Sequence, residues 1–214
     1  MKEITIEHIN QFFDIHKDMS YLRPEIEKAV TYICDIGQHN KILVCGNGGS
    51  CADSEHIAGE LLKSFVLKRK VSQDFKQKLQ EMYGEEGAFI ADNLQQGVKC
   101  IPLTSFSAYN TAFLNDCNAD MLYAQLVNVL GEAGDVLIAI STSGNSKNVV
   151  YAAKIAKAKG IKVIALTGEG GGKLKDLADV LLNVPSRIVY KIQEMHLPLY
   201  HLICLCVESE LFEA

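Results

Sequence analysis

A chain of 214 residues with 48% hydrophobic content can bury a continuous core, and it fits one large α/β domain better than two small ones. Its net charge of −5, with both signs interspersed, offers no general attraction to nucleic acid or to an anionic membrane. An anionic ligand must therefore be captured by local geometry, and the expected partner is a small molecule.

Residues 1–21 mix Lys2, Glu3, Glu7, His16 and Lys17 among apolar positions, which excludes the apolar core of a signal peptide. No uncharged stretch reaches the roughly 18 residues of a membrane span. The expectation is a soluble, cytoplasmic protein. Cys34, Cys45, Cys51, Cys100, Cys117, Cys204 and Cys206 are odd in number and mostly lie in apolar runs, so they read as reduced, buried thiols. No Cys-x-x-Cys pair is present, which argues against a zinc–thiolate site.

In chain order, amphipathic stretches at 5–19 and 23–36 predict two helices within residues 1–38. A Val/Ile/Leu-rich run at 41–45 predicts the first strand, and a helical pattern follows at 53–65. Residues 66–97 read as an inserted segment, with Lys68-Arg69-Lys70 as a solvated helix face and an amphipathic piece at 75–83. Further strands are predicted at 98–103, 135–141, 162–167 and 179–184, with helices at 109–130 and 148–159 and a last helix at 189–212. Alternation of this kind predicts an α/β fold, a three-layer parallel sheet with helices on both faces, over residues 1–214 as a single domain. The last helix is apolar around most of its circumference, which favours burial in the core of an oligomer; the alternative is a central helix of a monomer.

Residues 41–50 and 136–146 echo each other, each a strand followed by a Gly/Ser/Asn turn and then a helix. In a parallel sheet both turns emerge at the carboxyl edge, so they can face one substrate. Gly46, Gly48 and Gly49 permit a backbone that presents N–H groups inward, while Ser50 can cap the following helix. Ser141, Thr142, Ser143 and Ser146 add hydroxyl donors to the second turn. Neither turn carries a dinucleotide or Walker signature, and a compact monophosphate is the better guess.

His56 and Glu60 lie four residues apart and share one helix face. Gln193 and His201 lie about 80° apart around the last helix and can also converge. If the two helices meet, the four residues form a site suited to a divalent ion such as zinc or to proton transfer between neighbouring carbons. His196 is a rival to His201. The two histidines stand about 140° apart and cannot both face the site, and Pro198 between them can alter that count.

Cys45-Gly-Asn-Gly-Gly-Ser-Cys-Ala-Asp-Ser-Glu-His-Ile-Ala-Gly-Glu60, Asn115-Asp116, Ser141-Thr-Ser-Gly-Asn-Ser146, Leu166-Thr-Gly168 and the run from Ile192-Gln-Glu-Met-His196 to His201 together resemble the phosphoheptose isomerases, sugar-isomerase (SIS) domain proteins that interconvert sedoheptulose 7-phosphate and D-glycero-D-manno-heptose 7-phosphate. The likeness covers nearly the whole chain outside 66–97. It implies Glu60 as the base moving a proton between C1 and C2, and His201, rather than His196, as its acid–base partner. It implies His56, Glu60, Gln193 and His201 as zinc ligands. It also implies Asn47, Gly48, Gly49, Ser50, Glu60, Asn115, Asp116, Ser141, Thr142, Ser143, Ser146 and Gln193 as substrate contacts, with 141–146 on the phosphate, and a homotetramer with sites between subunits.

Two departures stand out. Lys63-Ser64-Phe65 replaces a Gly-Arg-aromatic run common in the family, which bears on an arginine contact to substrate, and residues 66–97 have no counterpart there. Two alternatives remain: a non-catalytic SIS-domain protein of the type associating with the replication initiator DnaA, and an isomerase of another sugar phosphate. The presence of both Glu60 and His201 argues against the first.

Overall fold

The computed structural model describes residues 1–212. Five strands, β1 (Ile42–Cys45), β2 (Cys100–Pro102), β3 (Val136–Ile140), β4 (Lys162–Thr167) and β5 (Val180–Asn183), form one parallel sheet in the order β2-β1-β3-β4-β5. All five predicted strands are present. Each is a short, nearly continuous apolar run because a parallel sheet buries both of its faces. Successive residues serve opposite sides: Val136, Ile138 and Ile140 enter one core, while Leu137 and Ala139 enter the other.

The first face is covered by α1 (Glu3–Ile15), α2 (Arg23–Cys34), α3 (Gly49–Leu62) and α8 (Val189–Leu211). A 3-10 turn, Lys17–Leu22, separates α1 from α2 and ends the first helix earlier than its amphipathic pattern suggests. On α2, Ile26, Ala29, Val30 and Ile33 follow the spacing of one helix face and are all buried, and Pro24 occupies its first turn, where no N–H is missed. The second face is covered chiefly by α6 (Leu122–Leu130) and α7 (Lys147–Ala158).

The helix expected over 109–130 is broken into α5 (Ser107–Asp116), a 3-10 turn at Ala119–Met121, and α6. The Asn118 side chain causes the break by accepting from Asp120 N–H, an N-terminal cap in mid-pattern. α5 buries no residue in this chain.

The last helix is already covered from within. Leu199, Tyr200, Leu202, Ile203, Cys204, Cys206 and Val207 pack in the core beside α1, α2 and α3, and Leu197 and Leu211 stay exposed. Most of its apolar circumference is thus covered within one chain. Cys45, Cys100, Cys204 and Cys206 are buried free thiols, and burial pushes Cys45 up to about 12.

Residues 66–97 contain α4 (Gln73–Asn93), interrupted at Gly84, whose φ of 61° reverses the chain into two helical legs. Ser72 caps its start by accepting from Phe75 N–H, and Lys76 pairs with Asp92 across the legs. The roots of the segment are tied together. Gln96 N–H donates to Arg69 O at 2.7 Å, and Gln96 Nε2 donates to Lys70 O at 2.6 Å.

The basic triplet is not a solvated helix face. It lies in the loop before α4, with Arg69 only 2% exposed and in an ion pair with Glu208. Arg69 was drawn inside because Glu208, an unneutralised buried acid on α8, requires a partner.

Because the roots close on themselves and α4 buries only Gly87 and Ala91, replacing residues 71–94 by a short Gly/Ser turn is expected to leave the fold intact. Circular dichroism should be retained and the melting temperature should move by less than about 5 °C.

Candidate active site

The strand order places the turns after β1 and β3 side by side, with α3 leaving to one face of the sheet and α7 to the other. This is the position at which open α/β sheets hold ligands. The two turns touch. Asn47 Nδ2 donates to Asn148 Oδ1 and Asn148 Nδ2 to Asn47 Oδ1, both at 2.9 Å, and Tyr123 donates to Gly46 O at 2.6 Å from below.

In the first turn Asn47, Gly48 and Gly49 are exposed, and Gly48 has φ of 58° with open space where a Cβ would stand. Ser50 does not cap the helix: Gly48 is the N-cap, and Ser50 sits buried inside the first turn, its carbonyl accepting from Ser54 Oγ at 2.7 Å. The helix begins two residues earlier than that cap would place it, so the role is lost to position.

In the second turn Ser141 Oγ and Ser146 Oγ lie 3.0 Å apart, and Ser143 Oγ accepts from Asn145 N–H at 3.2 Å. Ser146 is the N-cap of α7, yet its hydroxyl makes no capping bond. Hydroxyls and free first-turn N–H groups at a helix N-terminus form a ready anion site. Gly144 (φ 65°) packs so closely on Gly171 O that any Cβ would collide. The loop after β4 holds the same turn, Gly168 N–H donating to Thr142 O at 2.9 Å.

α3 and α8 run side by side in the same direction: Gly49 lies against Gln193, His56 against Tyr200 and His201, and Phe65 N–H bonds Glu208. His56 Nε2 stands 3.3 Å from Glu60 Oε1 and 3.5 Å from His201 Nε2. Burial and the nearby His56 keep the His201 imidazole below its ordinary pKa, against an opposing pull from Glu60. Lys63 Nζ holds the other Glu60 oxygen at 3.3 Å. Asn115 and Asp116, at the exposed end of α5, bond each other at 2.8 Å, and among the described residues they make no hydrogen bond to this cluster.

Around an ion with ligands at about 2.0–2.1 Å, tetrahedral donor-to-donor edges are roughly 3.4 Å, which both His56 separations match. Among the described residues no group of three or more His, Cys, Asp or Glu is gathered tightly enough to hold a metal ion, and Gln193 lies with its amide against Gly49.

Two residues in this seam, Asp53 and Tyr200, were not singled out from the sequence. Tyr200 OH bonds His56 Nδ1 at 2.9 Å and donates to Asp53 Oδ1 at 3.4 Å. Burial raises the pKa of Asp53, and burial together with Asp53 raises that of Tyr200. Asp53, His56 and Glu60 share a face of α3, a stripe that spacing alone could have exposed; Tyr200 looked like another core residue.

His196 faces the opposite way. It is fully buried, with Nε2 3.2 Å from Thr167 O, which requires Nε2–H as the donor and leaves Nδ1 without a partner. Pro198 does not interrupt α8, and the helical count holds.

The fold and this seam define a sugar-phosphate isomerase of the SIS class, and a SIS domain model matches residues 80–168. A phosphoheptose isomerase of Akkermansia muciniphila is 33% identical over 213 residues, 99% of each chain. Among solved structures, phosphoheptose isomerase from Neisseria gonorrhoeae is 34% identical with a TM-score of 0.70, covering 96% of this chain and 98% of its own. The enzyme from Francisella tularensis is 29% identical with a TM-score of 0.75, covering 98% and 100%. The chain belongs to the phosphoheptose isomerase family, a family of aldose–ketose isomerases. Among the described residues no helix is long and apolar enough to cross a membrane.

Burial holds the pKa of His196 down to about 4, against 6.5 for a free imidazole. The unfolded chain then binds the extra proton first, so this contribution is complete above about pH 6.5 and drains away as pH falls toward 4, roughly 3 kcal/mol in all. His196→Gln, which can still donate to Thr167 O but does not titrate, should flatten that part of the urea-unfolding stability profile.

Proposed function

We propose that this chain interconverts sedoheptulose 7-phosphate and D-glycero-D-manno-heptose 7-phosphate. The observation that carries the reading is the convergence of Glu60, His56 and His201 across the α3–α8 seam, beyond a hydroxyl-lined turn at the N-terminus of α7. The phosphate binds to Ser141, Thr142, Ser143 and Ser146, and Asn47, Gly48, Gly49, Asn115, Asp116 and Gln193 hold the rest of the sugar. The Glu60 carboxylate takes the proton from C1 of the ketose as His201 passes its N–H proton to O2, which gives the enediol, and His201 then accepts the proton of O1. Glu60 then returns its proton to C2, which completes the aldose with every proton accounted for.

His56, Glu60 and His201, with Gln193 turned from Gly49, would hold a divalent ion, and the nitrogen-and-carboxylate donor set suits zinc. When bound, it supplies positive charge to the developing enediolate oxygens. The same reading extends to a cytoplasmic homotetramer with sites between subunits. Exposed Ile15 and Val66 line a groove with His201 on the surface a neighbour would cover.

Incubation with sedoheptulose 7-phosphate, followed by NMR, should show the aldose; no conversion with or without added zinc refutes the reaction. Glu60→Gln should lower kcat by about 10³-fold while the fold persists, as expected for loss of a general base. Ser143→Ala and Ser146→Ala should each raise KM by about 10- to 100-fold with kcat little changed, the cost of a hydrogen bond to a charged group.

A further inference from the structure

The Arg69–Glu208 pair lies outside every role assigned so far, and it joins the two helices that carry the catalytic groups. Arg69 Nε donates to Glu208 Oε1 at 2.6 Å, Nη1 to Leu61 O at 2.8 Å and Nη2 to Glu60 O at 3.1 Å. One guanidinium therefore grips the last carbonyls of α3, including that of Glu60 itself. α3 ends at an extended Lys63 with no glycine behind it, and the Leu61 carbonyl also accepts from Val98 N–H at 2.9 Å, so among these contacts the guanidinium is the one that ties this end of α3 to α8.

Glu208 completes the other half. It lies seven residues beyond His201, nearly two helical turns, and so on the same face of α8. Its oxygens also accept from the N–H groups of Phe65, Val66 and Leu67 at 2.9, 2.8 and 3.0 Å. The loop wrapped around this carboxylate carries Phe65, whose ring lies 5.6 Å from that of His201. Both residues of the pair are almost wholly buried, so neither moves freely in water.

We propose that Arg69, anchored by Glu208, is a positioning residue for the isomerisation: it sets the separation between Glu60 on α3 and His201 on α8. The inference rests on the reading that those two groups move the protons. It assigns a task to the root of residues 66–97, from which the arginine comes. A displacement of about 1 Å at a proton-transfer group costs on the order of 100-fold in rate, while the phosphate end of the substrate, held by another turn, is unaffected.

The test separates packing from positioning. Removing both charges together leaves no unpaired buried ion, and a glutamine at 208 still offers an amide oxygen to the N–H groups of Phe65, Val66 and Leu67, so the double variant Arg69→Met/Glu208→Gln should keep the wild-type fold. Its kcat for sedoheptulose 7-phosphate should fall by about 10- to 100-fold, with KM within about 3-fold of the wild-type value. Arg69→Lys, which keeps the charge but loses the planar fork, should lie between the two.

A folded double variant or a folded Arg69→Lys protein with wild-type kcat would overturn the proposal, as would an effect confined to KM. Failure of both to fold would assign the pair to folding alone and count equally against it. Lack of turnover in the wild type would instead strike the reading of the reaction, and this inference with it.

Discussion

The structure depends on the seam between α3 and α8. Residues 144 and 145 positions apart in the chain stay in register along two helices running in the same direction, so Tyr200 and His201 reach His56 while Glu208 reaches the loop after α3. Two helices on one face of a parallel sheet acquire a common direction naturally, because each follows a strand of the same polarity. The chemistry follows from that register. A carboxylate and two imidazoles meet only because neither helix slides past the other.

The seam is bonded at several levels. At its start Gly49 gives way to the Gln193 amide, in its middle Tyr200 spans His56 and Asp53, and at its end Arg69 and Glu208 bind the last turn of α3. Burial alone would push the carboxyl of Glu208 up, but the N–H groups of Phe65, Leu67 and Val66 and the Arg69 guanidinium hold it below its ordinary pKa. The anion-binding turn is built separately, from the edge of the sheet. The hydroxyl-lined turn and the cluster of Glu60, His56 and His201 thus rest on different elements of the fold.

Much of the fold was legible in the chain. The five strands announced themselves as short apolar runs, and the turns at 46–49 and 141–146 could be paired by their echo before any coordinates. His56 and Glu60 were readable as one face of α3. The choice between His196 and His201 was not, since helical spacing separates them without saying which side faces the core. Burial of His196 against Thr167 O decides it. Lys68-Arg69-Lys70 was misread for a related reason: a short basic run gives no sign that a buried acid more than a hundred residues later requires one of its members.

By itself the sequence determined what is local: hydrophobic period, turn chemistry and the residue types able to move a proton or hold an anion. Tertiary structure alone decided which of those residues meet. Gln193 rests against Gly49, Tyr200 joins the site, Ser50 is enclosed, and Arg69 is drawn inside to neutralise Glu208. The physical reason is that periodicity is set within one element by its own backbone geometry. Pairing across elements instead depends on which buried polar groups must find partners once water is gone.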